Sequence, residues 1–313
     1  MKVAVVGPGA FGIKHLEAIQ QISGIDVAAI VGDAEEPARV VAQRFGVASW
    51  TTDLAGALAR PDIEAMILAT PTPLHAKQAI QCLEAGKHVQ VEIPMADNLE
   101  DAERLVEAAR RAGKIAMVGH TRRFNPSHRW IRNKASAGEL TIQQMDVQTY
   151  FLRRANTNAL GLPRNWTDHL LWHHACHTVD LFRYQTSESI AIARGVEGRI
   201  HPELGIAMDM SIQMKVPSGT ICTLSLSFNN DGPFGSTFRY ICDKGTYVAR
   251  YDDLFDGRDN PIDVTQVDVS TNGVELQDRE FFAAIREERE PNSSVQQCLP
   301  TMQILDQIEK SLL

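Results

Sequence analysis

Residues 2–12, KVAVVGPGAFG, begin with a short apolar run and end in the pattern G-x-G-x-x-G at Gly7, Gly9 and Gly12. Residues 2–6 are a predicted strand, and hydrophobic periodicity predicts a helix over 11–22. In that context the first glycine permits a tight turn, the second lets the backbone approach a pyrophosphate, and the third lets helix and strand pack closely. The helix N-terminus favours the negative charge. The stretch therefore predicts a dinucleotide-binding βαβ unit, with Ala10 and Phe11 also among the cofactor-binding residues.

Strand and helix patterns alternate through the first third of the chain. Strands are predicted at 26–31, 65–69, 88–91 and 115–119, with helices at 36–45, 74–85 and 99–112. This order predicts a doubly wound parallel sheet, a Rossmann domain, over residues 1–121. Beyond it, strand patterns follow one another and are joined by turn residues, which predicts an α+β domain with a large, mostly antiparallel sheet over 122–313. The fold class is thus α/β, with a second α+β domain.

Composition excludes several classes of protein. The 313 residues are 44% hydrophobic and carry a formal net charge of -8, which disfavours disorder, a membrane bundle, nucleic acid partners and anionic membranes. Five dispersed cysteines indicate neither a disulfide framework nor a thiolate zinc site. The apolar start lacks a small-residue cleavage site. We therefore expect a cytoplasmic protein.

Residues after the predicted strands point to the cofactor. Asp33 lies 21 positions after Gly12, where a carboxylate binds the ribose 2′-hydroxyl and repels a 2′-phosphate, which favours NAD over NADP. The alternative is a solvated loop carboxylate. Thr70, Pro71 and His75 follow another strand and either line the cofactor or form a stiffened turn. Glu92 either contacts the nicotinamide portion or is a buried structural carboxylate.

Four motifs together resemble the Gfo/Idh/MocA oxidoreductase family. They are GPGAFG at 7–12 with His15, ATPTPLH at 69–75, AGKHV at 85–89 leading to EIP at 92–94, and GHTRRFNP at 119–126. The resemblance implies a nucleotide-binding domain followed by a sheet domain whose exposed face forms a homodimer. Two features depart from the family pattern. Ile93 replaces the lysine of Glu-Lys-Pro, and His173 stands where the family often has aspartate.

Further stretches resemble a narrower group within this family. They are QQMDVQTY at 143–150, WTDHLLWHH at 166–174, HPELGIAMDM at 201–210 and SFNNDGP at 227–233. The resemblance implies oxidation of the cyclic hemiacetal of 4-carboxy-2-hydroxymuconate-6-semialdehyde to 2-pyrone-4,6-dicarboxylate, in the protocatechuate 4,5-cleavage route of lignin-derived aromatic catabolism. It also implies NADP, because relatives carry Ser-Arg where this chain has Gly32-Asp33. NADP and NAD both remain open.

Basic residues cluster in two segments of the sequence that could bind the implied dicarboxylate. Residues 115–138 and 147–167 contain no acid but several arginines. Guanidinium groups hold carboxylates in paired hydrogen bonds, so these segments are candidate clamps. Arg122 and Arg123, beside the predicted domain boundary, are the preferred substrate-binding candidates. The alternative is that these arginines are solvated or paired with acids elsewhere.

Histidines recur at a spacing of four on one predicted helix, at His169, His173 and His177. No cysteine pair or carboxylate at ligand spacing accompanies them, and hydride transfer needs no metal, so we expect none. A neutral imidazole can take the proton of a hemiacetal hydroxyl, which makes His173 and His177 candidate bases. His174 is a candidate for binding a carboxylate, and Trp166 for walling a planar ring. One or two of the histidines could instead be buried in the core.

Two other functions remain open at this stage. One is a sugar or cyclitol dehydrogenase of the same family, against which the arginine-rich segments and the missing lysine argue. The other is a dinucleotide-binding sensor without catalysis, which the missing lysine permits and the histidine-rich helix opposes.

Overall fold

The computed structural model describes residues 1–157, 163, 164 and 166–312. Contacts divide the chain into two compact units. The first contains Met1–His120 and Val274–Leu299, and the second contains Thr121–Gly273 and Pro300–Leu313. The segment Val274–Leu299 thus groups with the first unit, whereas the sequence predicted one boundary after residue 121. Periodicity identifies an amphipathic helix but does not say which sheet the helix covers. The division into functional domains at 1–121 and 122–313 stays a prediction.

The first unit is built on a six-stranded parallel sheet in the order β3-β2-β1-β4-β5-β6. Its core strands are continuous runs of buried apolar residues, as expected for a sheet covered on both faces. The strands are β1 Lys2–Val6, β2 Asp26–Val31, β3 Trp50–Thr51, β4 Ala65–Leu68, β5 His88–Val91 and β6 Ala116–Val118. The helices are α1 Ala10–Ile19, α2 Glu35–Phe45, α3 Leu54–Ala59, α4 His75–Glu84, α5 Leu99–Ala112 and, later in the chain, α8 Gly273–Arg286.

The second unit is built on an eight-stranded sheet in the order β14-β13-β12-β11-β7-β10-β9-β8. Among the described strands of this second sheet, only β7 and β10 pair in parallel. The strands are β7 Ile142–Tyr150, β8 Ile192–Glu197, β9 Asp209–Lys215, β10 Ile221–Ser227, β11 Gly235–Cys242, β12 Gly245–Arg250, β13 Asp253–Asp256 and β14 Pro261–Ile262. The helices are α6 Pro126–Ser136 and α7 Cys176–Thr186, and α9 Val295–Glu309 passes from the first unit to the second at Pro300.

The two faces of the second sheet differ in character. Buried apolar residues alternate with exposed or half-buried polar ones along β7, β9, β10 and β11. This is the pattern of an antiparallel sheet that packs one face on a core. The sequence prediction of a Rossmann sheet followed by a mostly antiparallel sheet is confirmed. The short elements β3, α3, β13 and β14 were not predicted, because two to six residues carry too little periodicity.

A buried cluster of three ionisable side chains joins α1, β5 and α8 in the first unit. His15 Nδ1 lies 2.9 Å from Asp278 Oδ1, and His15 Nε2 lies 3.1 Å from Glu92 Oε1. Burial by itself lowers the pKa of His15, but the charges and hydrogen bonds of Asp278 and Glu92 raise it to about 10. His15 is therefore an imidazolium at neutral pH, and its charge ties α8 to the sheet.

Among the described residues, none of the helices is both long and apolar enough to cross a bilayer.

We predict that His15→Gln lowers the free energy of unfolding by about 3 kcal/mol at pH 6, because breaking a buried pair strands the remaining charges. The pKa of His15 rises on folding from 6.5 to about 10. Its contribution is therefore complete below pH 6.5 and is lost as pH rises towards 10. Urea unfolding of both proteins at pH 6 and pH 10 measures this, with His201→Gln as the control. A stability difference that does not narrow by pH 10 would contradict the charged state of His15.

Candidate functional site

The glycine turn after β1 has the geometry of a pyrophosphate cradle. Gly7 has φ +99°, and a Cβ built there would lie 2.3 Å from the Ala69 carbonyl oxygen. A Cβ on Gly12 would lie 1.9 Å from the Gly7 carbonyl oxygen, whereas one on Gly9 meets no heavy atom within 4 Å. In the described part of the chain no side chain caps α1 at Gly9. The turn thus leaves the N–H groups of Ala10 and Phe11 at an uncapped helix N-terminus, which fits an anionic group.

This turn lies at the switch point of the parallel sheet. The strands β1 and β4 are neighbours, and the chain leaves them towards opposite sides of the sheet order. Such a point forms the crevice in which doubly wound sheets bind nucleotides. The close approach of Gly7 to Ala69 brings the turn after β4, with Thr70 and Pro71, beside the glycine turn.

Asp33 is exposed and stands in acidic surroundings. It precedes α2, whose first turn contains Glu35 and Glu36. Arg39 binds Glu36 through Nε and Nη2, at 2.9 Å and 2.7 Å, so its charge is already matched. A 2′-phosphate at Asp33 would therefore meet carboxylates without a balancing cation from this helix turn.

Two predicted cofactor residues have partners within the protein. His75 is buried, with Nδ1 2.8 Å from the Pro94 carbonyl oxygen and Nε2 2.7 Å from that of Thr70. Thr70 Oγ1 donates to Gln78 Oε1 at 2.6 Å. Sequence position places these side chains at the correct edge but does not give their direction. The contacts indicate that His75 holds two turns together, and its direct contact with a cofactor stays a prediction.

Glu92 is also bound within the first unit. Besides His15, Gln277 Nε2 approaches Glu92 Oε1 at 3.4 Å, and a Cβ on Gly119 would lie 2.4 Å from the same oxygen. These contacts fit the buried structural carboxylate that the sequence left open. Contact of Glu92 with the nicotinamide portion stays a prediction.

Two of the clustered histidines of the second unit, His173 and His174, lie on a π-helical turn. The segment Leu170–Ala175 is π-helical and precedes α7, which carries His177. Such turns are rare and often occur at functional sites. The rings of His169 and His173 stack with centroids 5.9 Å apart, and His173 Nδ1 accepts the main-chain N–H of His169 at 2.7 Å. Because Nδ1 is an acceptor, a neutral His173 carries its proton on Nε2 and presents a donor there.

His174 belongs to a buried cluster around Asp168. His174 Nε2 lies 3.3 Å from Asp168 Oδ2, and Arg153 and Arg164 bind the same carboxylate. Burial raises the pKa of Asp168, but His174 and the two arginines outweigh it and hold the pKa well below its usual range. Burial lowers the pKa of His174, partly offset by Asp168. In this structure His174 meets a carboxylate of the protein itself, and its binding of a substrate carboxylate stays a prediction.

The two arginines preferred from the sequence are buried and engaged. Arg123 binds Asp180 through Nε and Nη2, each at 2.7 Å, so its charge is paired. Arg122 Cζ lies 4.7 Å from the Tyr251 ring centroid, its Nη1 approaches Asn125 Oδ1 at 3.5 Å, and its Nε has no hydrogen-bond partner in the described region. Substrate binding by either stays a prediction.

Trp166 lies between a cation and a candidate base. Its ring centroid is 4.6 Å from Arg164 Cζ and 5.9 Å from the His173 ring centroid. This position is compatible with the predicted wall for a planar ring, which stays a prediction.

The sequence did not single out Asp168 or Asp278 as site-forming residues. Asp168 bounds one of the acid-free segments, so its position was the available signal. Asp278 follows Glu92 by 186 positions, and only the fold brings it near.

Comparisons with known proteins agree with this architecture. Residues 1–120 match the model of the oxidoreductase family with an NAD-binding Rossmann fold, and 126–268 match that of the C-terminal part of bacterial oxidoreductases. The chain is 61% identical to 4-carboxy-2-hydroxymuconate-6-semialdehyde dehydrogenase of Sphingobium sp. (strain NBRC 103272 / SYK-6), covering 100% of this chain and 99% of the relative. The chain belongs to the Gfo/Idh/MocA family. The family prediction, and the narrower resemblance within it, are confirmed.

More distant similarities are found to another dehydrogenase sequence and to a solved structure. Inositol 2-dehydrogenase of Mycolicibacterium smegmatis (strain ATCC 700084 / mc(2)155) is 30% identical over 80% of this chain and 72% of its own length. The structure of levoglucosan dehydrogenase in complex with NADH superposes with a TM-score of 0.85 at 21% identity, covering 99% of this chain and 96% of that one. The family match over residues 1–120 makes that part of the first unit an NAD-binding Rossmann domain of an oxidoreductase, and the solved structure agrees with its fold.

We predict that Gly9→Ala weakens NAD binding, whereas Gly12→Ala lowers the stability of the fold. The Gly9 methyl group enters open space, so the protein folds normally but binds NAD at least about tenfold more weakly, equivalent to about 1.4 kcal/mol. The Gly12 methyl group collides with the Gly7 backbone and lowers the free energy of unfolding by about 2 kcal/mol. Thermal melts and NAD titrations separate the two effects. Wild-type NAD affinity in Gly9→Ala would remove the turn from the cofactor site.

Proposed function

We propose that this protein is an NAD(P)-dependent dehydrogenase that oxidises the cyclic hemiacetal of 4-carboxy-2-hydroxymuconate-6-semialdehyde to 2-pyrone-4,6-dicarboxylate. The observation that carries the proposal is the 61% identity, over essentially both full chains, to a relative that bears this substrate's name. The buried arginine, histidine and aromatic groups of the second unit give independent support, because they suit a planar anion better than a neutral polyol.

The reaction breaks the C–H bond of the hemiacetal carbon and the O–H bond of the hydroxyl on that carbon. When bound, the oxidised nicotinamide accepts the hydride from the hemiacetal carbon. The hydroxyl on that carbon loses its proton to a base as its C–O bond becomes the carbonyl of the lactone. The protein must therefore orient the hydroxyl, hold the carboxylates and supply a proton acceptor.

We divide the acid-base roles between two histidines. His173 Nδ1 already accepts the main-chain N–H of His169. To act as a base at Nδ1, His173 would have to give up that bond, whereas its Nε2–H can donate to a substrate oxygen. This supports His173 as a hydrogen-bond donor and His177, on the first turn of α7, as the proton acceptor.

We propose NAD rather than NADP as the preferred cofactor, although relatives in the narrower group are described as using NADP. The support is the exposed Asp33 beside Glu35 and Glu36, with Arg39 already bound to Glu36.

The first test supplies the semialdehyde with NAD or NADP and follows reduced nicotinamide and pyrone dicarboxylate. We expect turnover, with a higher kcat/KM for NAD, and a shift towards NADP in Asp33→Ala because a carboxylate that repels the 2′-phosphate is removed. myo-Inositol is the comparison substrate. Turnover of inositol but not of the semialdehyde would support the cyclitol alternative, and NAD binding without any turnover would support the sensor.

The second test separates the histidines. We expect His177→Gln to lower kcat by about 10² to 10⁴, the usual contribution of a general base, and to remove the acidic limb of the pH profile. His173→Gln removes the imidazole Nε2–H donor, so it should lower kcat/KM, but it leaves the proposed base His177 intact and should keep that limb in place. His201→Gln, on a loop of the same unit, is the control. Loss of the limb in His173→Gln but not in His177→Gln would reverse the assignment.

The expected homodimer and cytoplasmic location also stay proposals. In the second unit, Ile192 of β8 and Ile221 of β10 flank Lys215 of β9 in register, and Ile192 and Val196 are 50% and 58% exposed. These exposed apolar side chains suit contact with a second copy of the chain, and sedimentation equilibrium can measure whether a dimer forms. The five cysteines are buried thiols, as suits a reducing compartment.

A further inference from the structure

One carboxylate in the second unit is shared by two guanidinium groups. Asp168 binds Arg153 through both carboxylate oxygens, and Arg164 Nη2 donates to Asp168 Oδ1 at 2.7 Å. The side chains are only 16%, 11% and 12% exposed for Arg153, Asp168 and Arg164. A single negative charge thus serves two largely buried positive charges.

His174 does not correct this imbalance. His174 Nε2 lies 3.3 Å from Asp168 Oδ2, and an imidazole brings no negative charge whether it is neutral or protonated. Two arginines and one aspartate leave at least one net positive charge in this cluster. Arg164 Nε is also buried without a hydrogen-bond partner among the residues described. A buried charge without a counter-charge is destabilising, so the cluster favours an anion.

Aromatic rings border both guanidinium groups. Arg153 Cζ lies 4.6 Å from the Phe228 ring centroid, and Arg164 Cζ lies 4.6 Å from that of Trp166. His174 meets the Phe228 ring edge-on at 5.1 Å. These flat walls fix the planes of the guanidinium groups and reduce their contact with water. A planar ring bearing a carboxylate matches both the shape and the charge.

We propose that Arg153 and Arg164 form a subsite for one carboxylate of a planar, ring-borne dicarboxylate, with Asp168 as the residue that positions them. The proposal rests on the proposed function, since it names the residues that recognise that substrate's charge. Asp168 binds both guanidinium groups, and the donors that it leaves over would bind the ligand carboxylate. A neutral polyol cannot compensate the charge, so this subsite selects against sugars and cyclitols.

The experiment uses probes that bind without turnover. Isophthalate carries two carboxylates on a planar ring, and 3-carbamoylbenzoate replaces one with a neutral amide of nearly equal shape. Calorimetric titration of the NAD-saturated protein gives the ratio of the two dissociation constants. We expect wild-type protein to prefer isophthalate by about 10- to 100-fold, the usual effect of a charge-assisted hydrogen bond.

Variants then show which residues cause the preference for isophthalate over 3-carbamoylbenzoate. Arg164→Met and Arg153→Met should bring the ratio close to one, and Arg164→Lys should restore part of it by restoring the charge. Arg154→Met is the matched control, because Arg154 lies in the same acid-free segment but is exposed and binds main-chain oxygens and Asn229. Thermal melts identify any variant that fails to fold. If the methionine variants do not fold, the ratio of dissociation constants in Arg164→Lys tests the subsite.

The outcomes separate this proposal from the proposed function. An unchanged ratio in folded Arg164→Met, or an equal loss in Arg154→Met, would overturn the subsite even if the semialdehyde is turned over. A ratio lost only in the Arg153 and Arg164 variants supports the subsite even if the semialdehyde is not a substrate.

Discussion

A protonated histidine between two buried carboxylates organises the first unit. His15 stands on α1, directly behind the glycine turn, and its charge is stable in the interior only because Asp278 and Glu92 accept its two N–H groups. Gln90 Nε2 adds a hydrogen bond to Asp278 at 2.7 Å. Removing His15 would leave two buried carboxylates without their cation, which costs several kcal/mol. The cluster therefore links the position of α1, the end of β5 and the distant helix α8.

This link explains why a late segment groups with the first unit. Helix α8 supplies Asp278 and Gln277 to the cluster, and Arg286 Nη2 also donates to the carbonyl oxygens of Ser23 and Gly24 at 3.4 Å and 3.3 Å. The glycine pattern and the strand-helix alternation are local, so the sequence predicts the parallel sheet well. The partner of His15 is 263 residues away, and no local pattern predicts it. Glu92 was placed at the correct sheet edge from sequence, but its direction depends on this distant contact.

In the second unit, too, local sequence patterns do not predict which charged side chains meet in the fold. An acid-free segment predicts positive charge, yet acids arrive from elsewhere in the fold: Asp180 pairs with Arg123 and Asp168 with Arg153. Whether a cluster carries a surplus positive charge depends on how many arginines each aspartate binds there. Arg123 and Asp180 form one pair, whereas Asp168 must serve both Arg153 and Arg164. The sequence thus predicted the arginine-rich segments, while the position of the surplus charge depended on contacts that only the fold supplies.

The missing family lysine fits the chemistry that the second unit supports. A hemiacetal hydroxyl is more acidic than an ordinary alcohol, because the second oxygen on its carbon withdraws electrons. A base with the ordinary histidine pKa of about 6.5 is then sufficient at neutral pH. His15 cannot take this role, because its pKa of about 10 keeps it protonated. The proton acceptor must therefore come from elsewhere, and a lysine at the position of Ile93 is not required if His177 accepts the proton. The substrate's own acidity, together with an anion subsite that fixes its orientation, would replace what the lysine provides for a less acidic polyol.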